Sequence, residues 1–299
     1  MSDKIILIAN NAAVDAVMIT KAEAIDGIRN KYGFSLGEIA AIGDEIGDIP
    51  MLEIPGLGNI GTVANAQQSV IDFVASRENG YVSMLSVFDG FMEFYNRCRD
   101  RGSKLIVTDK DGVLKEGSNV QWGQQYAKLA MHMGNEGNPY CIVLTGSAIS
   151  QNEEFRLQYG LDERLIENKA VRNNPFLLLV ENGAIHVNVI TGETENYCHK
   201  LNPDLLSALK GPFEDEVARR IQEEILPEFN FRMSYSYDEQ TGMVYHIREK
   251  QAGVCFNIPR EDNKGKPFRK TSDAQRLRER EIEIMSEVAR NLGIDHIIL

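Results

Sequence analysis

Between about residue 20 and residue 185, short apolar segments alternate with segments that have helical periodicity. The apolar segments carry hydrophobic side chains at consecutive positions, which predicts strands that are buried on both faces. Such strands occur where helices cover both sides of a parallel sheet. The pattern therefore predicts an α/β fold with a parallel sheet, built from the strands "IAAIG", "GNIGTV", "KLIVTD", "YCIVLTG" and "FLLLVENG".

The pattern changes after about residue 192. A hairpin is expected around Thr191-Gly192, followed by a helical segment, a strand-rich segment with polar and apolar residues in alternation, and a long helix opening at a Ser/Asp cap. The alternation favours an antiparallel sheet with one solvated face. We therefore expect a separate α+β domain in this half of the chain.

Composition excludes several classes of partner. The chain has 299 residues and a formal net charge of -12, which argues against nucleic acid and against an anionic membrane surface. No apolar run approaches the roughly 18 residues needed to span a bilayer. The four cysteines form no CxxC pair, as expected for buried thiols in a reducing compartment. We expect a soluble, cytoplasmic protein; its oligomeric state is not indicated.

One predicted strand ends in two carboxylates, Asp109 and Asp111, with Gly112 directly after them. A turn in which an aspartate accepts a backbone hydrogen bond is one alternative for this segment. A calcium loop is another, but Val113 and Leu114 stand where that loop needs a further ligand and a glycine.

A second strand is followed by "GDEIGD", with Asp44 and Asp48 four residues apart. That spacing places two carboxylates on one side of a helical turn. Carboxylates at the ends of neighbouring parallel strands form a pocket suited to Mg²⁺. The alternative is that both aspartates only cap a helix.

Two further positions are candidates for binding an anion. "VLTGSA" ends a strand in Thr145 and Gly146, whose hydroxyl and backbone amide can hold a phosphate oxygen. Lys21 opens a helix after an apolar strand. Taken alone, Thr145 is better explained as a helix cap, and Lys21 is better explained as an ordinary surface lysine.

Together, "TDKDGVL", "VLTGS", "TKAEAI" and "GDEIGD" followed by "IPML" resemble the four motifs of the haloacid dehalogenase-like superfamily of phosphotransferases. "GTVANA" and "VENGAI" resemble phrases of its large-capped sugar-phosphate phosphatases. The resemblance covers roughly residues 17–190. It implies a Rossmann-like parallel-sheet core at 20–192 and an inserted α+β cap formed by 193–299 together with 1–19.

The order of the motifs departs from the family. The lysine motif and the Gly-Asp motif precede the Asp-x-Asp motif here, although the order is unchanged when the chain is read as a circle. We interpret this as a circular permutation that opens the chain within the cap, so that "HIIL" and "KIILIA" meet in one sheet. Gly47 and Ser147 stand where many relatives carry Asn and Arg.

The resemblance also implies the chemistry. Asp109 is expected to be the nucleophile, Asp111 the general acid and base, and Lys21, Thr145 and Gly146 the groups that bind the phosphoryl oxygens. Mg²⁺ is expected on Asp109, the Asp111 carbonyl and Asp44, with Asp48 bound directly or through water. The expected function is hydrolysis of a small phosphorylated metabolite, a sugar phosphate in particular. A phosphomutase and a non-catalytic phosphometabolite-binding protein are the alternatives.

Overall fold

The computed structural model describes residues 4–9, 13–115, 133, 137–147, 177–188, 193–196, 198, 202–234, 244–248, 250–262 and 264–299. The chain divides into two compact units. The larger unit is Thr20–Glu195, and the smaller unit combines Met1–Ile19 with Asn196–Leu299.

The smaller unit opens with β1 (Lys4–Ala9) and β2 (Ala13–Val17). The larger unit then contains, in chain order, α1 (Lys21–Tyr32), β3 (Ile39–Ile42), α2 (Ile49–Leu52), β4 (Asn59–Thr62), α3 (Gln68–Ala75), β5 (Gly80–Val82), α4 (Val87–Asp100), β6 (Leu105–Thr108), β7 (Tyr140–Leu144), β8 (Leu177–Val180), β9 (Ile185–Asn188) and β10 (Thr194–Asn196).

One sheet organises the larger unit, with the strand order β10-β9-β8-β7-β6-β3-β4-β5. The pairings from β8 through β5 are parallel, whereas β9 runs antiparallel to β8. Strands β3 and β6 lie in register, with Ile39 opposite Leu105 and Ile42 opposite Thr108, so they end at the same level. The predicted α/β fold with its parallel sheet is confirmed.

Strand β5 is not predicted, because it has only three residues and half-buried side chains. The helices predicted at residues 122–134 and 150–160, and the turn at Thr191-Gly192, lie outside the described residues apart from Met133. The apolar core of this unit includes Ile25 and Ile28 of α1 together with Val107 and Ile142 of the central strands.

The smaller unit continues after β2 with one helical stretch, residues 203–229. It consists of α5 (Pro203–Ala208), α6 (Glu214–Arg220) and α7 (Leu226–Phe229), joined by the π-helical turns Leu209–Phe213 and Ile221–Ile225. After it come β11 (Arg232–Ser234), β12 (Val244–Arg248), β13 (Gly253–Asn257), α8 (Ser272–Asn291) and β14 (Asp295–Ile298). Helix α8 is capped by Thr271, whose hydroxyl accepts the Ala274 N–H at 3.2 Å, rather than by the predicted Ser/Asp pair.

The sheet of the smaller unit has the order β11-β12-β13-β2-β1-β14. Its central pairings are antiparallel, but β11 is parallel to β12 and β14 is parallel to β1. The predicted antiparallel sheet is therefore confirmed for the central strands but wrong for β11, because alternation fixes which face a residue points to and not the strand direction. The predicted meeting of the first and last strands is confirmed, with Lys4 opposite Asp295.

None of the helices in the described ranges is long and apolar enough to cross a lipid bilayer.

Candidate active site

The predicted site residues follow the carboxyl ends of three neighbouring parallel strands. Asp44 and Asp48 follow β3, Asp109 follows β6, and Thr145 follows β7. The Asp109 N–H donates to the Ile42 carbonyl at 3.0 Å, so the chain beyond β6 is still tied to β3. Because ligand sites of open parallel sheets lie at this edge, the strands themselves bring these residues together.

Three of the aspartates form one buried cluster. Asp44, Asp48 and Asp109 each offer a carboxylate oxygen that lies within 4.8 Å of the other two. Lys21 joins them, with its Nζ 2.6 Å from Asp48 Oδ1 and 2.5 Å from Asp109 Oδ1. The surface-lysine alternative for Lys21 is therefore wrong: its side chain is only 12% exposed.

The start of α1 places that lysine. Thr20 caps the helix, because its hydroxyl accepts the Glu23 N–H while the Glu23 carboxylate accepts the Thr20 N–H. This reciprocal pair fixes the first helical residue, which is Lys21. The other end of the helix stops at Gly33, whose left-handed φ of 74° a glycine adopts at no steric cost.

Asp48 organises the loop after β3. Its Oδ2 accepts the backbone N–H groups of Asp44 at 2.9 Å and Glu45 at 3.1 Å, while its Oδ1 accepts from Lys21. A Cβ at Gly43 would lie 2.4 Å from the Asp48 Cβ, so only glycine fits there. Both Asp48 oxygens are thus engaged by the protein, which favours binding of a cation through water over direct ligation.

Asp44 has the opposite character. Its Oδ1 is buried and has no hydrogen-bond partner among the described residues. A buried polar oxygen without a partner costs free energy, and a hard cation is the ligand that would satisfy it. This oxygen together with the carboxylates of Asp48 and Asp109 makes a donor set that fits Mg²⁺.

The charge balance of the cluster supports the same reading. Burial, followed by the charges of Asp109 and Asp48, raises the pKa of Asp44 to about 9. Burial also raises the pKa of Asp109, although Lys21 opposes this effect. Burial opposes the charged form of Lys21 too, but the carboxylates of Asp109 and Asp48 raise its pKa. Lys21 alone does not balance the three carboxylates, and a divalent cation would supply the missing positive charge.

Asp111 lies outside the carboxylate cluster, since its side chain is 53% exposed and turns toward lysines. Its Oδ2 lies 3.1 Å from Lys110 Nζ, and its Oδ1 lies 3.7 Å from Lys115 Nζ. Ser147 Oγ donates to Oδ2 at 3.5 Å. The sequence prediction that Asp111 binds the metal by its backbone carbonyl and not by its carboxylate is compatible with this orientation.

Thr145 and Gly146 form a turn at the end of β7. The Thr145 hydroxyl is buried and accepts the Ser147 N–H at 3.2 Å, which is the contact that the capping alternative predicts. The turn is held from the other side, since Glu181 N–H donates to the Ser147 carbonyl and Asn182 N–H to the Thr145 carbonyl.

Sequence reasoning missed several residues of the site. Lys110 occupies the unspecified position of the Asp-x-Asp motif, and it is buried beside Asp111. Asn65 donates from Nδ2 to the Gly112 carbonyl at 2.8 Å and accepts the Val87 N–H at 2.8 Å, so it braces the loop that carries Asp111. Asn65 and Asn182 lie in the phrases "GTVANA" and "VENGAI", which indicate the family resemblance but not what either side chain does.

The comparisons with known proteins bear on this geometry. Residues 10–76, which include Lys21, Asp44 and Asp48, match the family model of the haloacid dehalogenase-like hydrolases. Among solved structures, the chain is similar to a haloacid dehalogenase-like hydrolase from Bacteroides thetaiotaomicron, at 11% identity and a TM-score of 0.24, covering 65% of this chain and 80% of that one. A comparison with curated proteins finds no match.

Residues 10–76 are thus similar to the haloacid dehalogenase-like hydrolases, and this matched segment supplies Lys21, Asp44 and Asp48 to the lysine–aspartate cluster at the carboxyl edge of the parallel sheet.

Proposed function

We propose that the protein is a hydrolase of the haloacid dehalogenase-like superfamily that cleaves phosphomonoesters with the aid of Mg²⁺, and that its substrate is a small phosphorylated metabolite of the sugar-phosphate class. The observation that supports it best is the position of Lys21, which bridges Asp48 and Asp109 beside the unpaired oxygen of Asp44. A cation and a carboxylate nucleophile side by side are what phosphoryl transfer to an aspartate requires.

In the first step, a carboxylate oxygen of Asp109 attacks phosphorus in line. The new O–P bond forms as the bond from phosphorus to the leaving oxygen breaks, and Asp111 gives that oxygen a proton. In the second step, a water attacks the aspartyl-phosphate and gives its proton to Asp111, which releases inorganic phosphate and restores Asp109. Lys21, the Thr145 hydroxyl and the Gly146 N–H would hold the phosphoryl oxygens.

The residues that would hold Mg²⁺ are Asp44, Asp109 and the backbone carbonyl of Asp111, with Asp48 acting through a water. When bound, the cation would offset the repulsion between the anionic nucleophile and the phosphate dianion. The unpaired Asp44 oxygen is the structural reason for expecting it.

We also propose that residues 20–192 form the catalytic core and that 193–299 with 1–19 form its cap, in a circularly permuted order. The support is that three strands, β4, β5 and β6, separate Asp44 and Asp48 from Asp109 along the chain, and yet these aspartates and Lys21 lie beside Asp109. Neighbouring strands β3 and β6 make that possible, because sheet order and chain order differ.

The direct test is a phosphate-release screen over phosphorylated sugars, with and without Mg²⁺. Asp109→Asn should abolish turnover, and Asp26→Asn, a change of the same chemistry at an exposed position of α1, should leave it intact. If the Asp109→Asn variant turned over as fast as the parent, the assignment of Asp109 as the nucleophile would be wrong. A need for a bisphosphate activator without phosphate release would indicate the mutase, and binding without turnover would indicate the non-catalytic protein.

A further inference from the structure

We propose that Lys110 is a positioning residue of this site, which ties the Asp111 carboxylate to the Thr145–Ser147 turn and so fixes the direction in which Asp111 points. The inference rests on the proposed function, in which Asp111 exchanges the proton with the leaving group and with water.

The first observation is where the Lys110 ammonium lies. The Lys110 side chain is only 5% exposed and stands between two acidic residues in the loop after β6. A buried ammonium is costly unless it is paired and hydrogen-bonded. Its Nζ donates to Ser147 Oγ at 2.9 Å and lies 3.1 Å from Asp111 Oδ2. The buried cation therefore lies where the loop after β6 meets the turn after β7.

The second observation is that these groups close a triangle. Ser147 Oγ accepts from Lys110 and donates to Asp111 Oδ2 at 3.5 Å, and it also accepts from the Thr145 hydroxyl at 3.2 Å. One donor and two acceptor sites exhaust what a hydroxyl can offer. Asp111 is half exposed and would otherwise sample several rotamers, so the triangle selects one of them.

The backbone of Lys110 is fixed as firmly as its side chain. Its carbonyl accepts the N–H groups of Leu114 at 3.0 Å and Lys115 at 3.1 Å, and the Gly112 N–H donates to the Lys115 carbonyl at 2.7 Å. The loop therefore closes on Lys110, and motion of its ammonium is restricted by the same turn that carries Asp111.

Lys115 provides a matched control. Its Nζ lies 3.7 Å from the other Asp111 oxygen, and its side chain is 18% exposed, so it contacts the same carboxylate more loosely. If charge near Asp111 were all that mattered, the two lysines would be equivalent. If position matters, only Lys110 should be required.

The experiment compares two probes with different demands for a proton: glycerol 2-phosphate, whose alkoxide leaving group needs one, and p-nitrophenyl phosphate, whose phenolate needs little. Lys110→Met should lower kcat/KM for glycerol 2-phosphate, which reports the steps up to departure of the leaving group, by about 10- to 100-fold, a part of the usual acid–base contribution. The loss with p-nitrophenyl phosphate should be at least about fivefold smaller. Asp111→Asn should show the same contrast between probes, and Lys115→Met should change kcat/KM by less than about threefold.

Inorganic phosphate separates positioning from direct binding. Its inhibition constant should be unchanged by Lys110→Met, and thermal melting should show that this variant is folded. A weaker phosphate affinity with unchanged kcat would overturn the proposal in favour of a phosphate ligand. Equal losses with both probes would overturn it in favour of a scaffold role. Failure of Asp109→Asn to stop turnover would instead refute the proposed function itself, so the two failures are distinguishable.

Discussion

Gly112 lies directly against the Asp44 carboxylate, so the side chain that it lacks is part of the site. Its φ is +87°, and a Cβ there would stand 2.1 Å from Asp44 Oδ2. The Asp44 side chain cannot move aside at a small cost in free energy, because it is buried on the loop that Asp48 holds. The glycine after the two aspartates is therefore required by the neighbouring loop as well as by its own backbone.

Gly112→Ala should displace the Asp44 carboxylate and lower turnover by about 100-fold or more, in line with the cost of misplacing a catalytic group. It should also remove the rise in melting temperature that Mg²⁺ is expected to produce. Gly102→Ala is the control, because Gly102 has a similar φ of +77° but nothing within 4 Å of the added Cβ. That variant should lose about 1–2 kcal/mol of stability and keep its activity. Equal effects of the two substitutions on activity would contradict this account.

At this scale the sequence indicated the acidic residues and Lys21 but not Lys110 or Asn65. Asp44, Asp48 and Asp109 follow buried strands, and the parallel sheet brings the ends of those strands together. Lys110 was missed because spacing along a loop does not tell which way a side chain turns. Its role depends on Ser147, which lies in the turn after β7 and meets it only in the folded chain.

Helix α8 carries a carboxylate inside its buried face. Its apolar side is formed by Leu277, Ile284, Met285 and Val288, and Glu281 lies among them with no exposed surface. Burial raises the pKa of Glu281 to about 8, and the nearby Tyr245 hydroxyl and Arg278 guanidinium offset only part of this effect. With a pKa of about 8, this carboxyl group is expected to be protonated in the folded unit at neutral pH.

The smaller unit should lose stability as pH rises. The folded unit holds the Glu281 proton up to about pH 8, whereas an unfolded chain releases it near 4.5. The folded state thus binds more protons between these values, and its stabilisation is complete below the lower pKa and is lost through the upper one. The melting temperature should fall from pH 5 to pH 8.5, by an amount equivalent to a few kcal/mol.

Glu281→Gln should abolish most of that dependence and raise the melting temperature at pH 8.5. Glu283→Gln, an exposed position two residues along the same helix, should leave the pH profile unchanged. A parent protein whose melting temperature is flat across this range would show that Glu281 is not protonated in the folded state.

Elements were predicted best where their apolar pattern was strong. The strands of the central sheet and helix α8 follow from it directly, since burial on one or two faces leaves a periodic trace. Strand β5 was too short to leave one, and the directions of β11 and β14 were not encoded in alternation. Direction depends on which strands become neighbours, which is decided by the whole unit.

At the scale of the molecule, the order of the motifs along the chain is the feature that calls for explanation. Strand β6, which carries Asp109, lies between β3 and β7 in the sheet, although β3 and the lysine of α1 come far earlier in the chain. The sheet is indifferent to where the chain begins as long as neighbouring strands keep their places. The order of the motifs can thus be read from the sequence, but which strands become neighbours in the sheet is decided by the fold.

A chain with the inferred original order should fold and retain activity. It would begin at Gly102, end at Arg101 and join Leu299 to Met1; residues 101 and 102 are both exposed and lie between α4 and β6, so the cut interrupts no helix or strand. Such sites tolerate new termini. The design of the joining segment matters, because β14 runs parallel to β1, with Leu7 opposite Ile298. The end of β14 and the start of β1, which are to be joined, therefore lie at opposite ends of the strand pair.

A linker must return along four paired residues, about 13 Å at roughly 3.3 Å per residue, and about eight glycine and serine residues cover that distance. With this linker, kcat/KM should stay within about tenfold of the natural order, since no residue of the site changes its strand. A direct fusion without linker is the control, and it should disrupt the β1–β14 pairing and lower the melting temperature. If the linked chain were folded but inactive, while the natural chain hydrolysed phosphomonoesters, the permutation account would be wrong, because every strand would keep its neighbours and only the termini would differ.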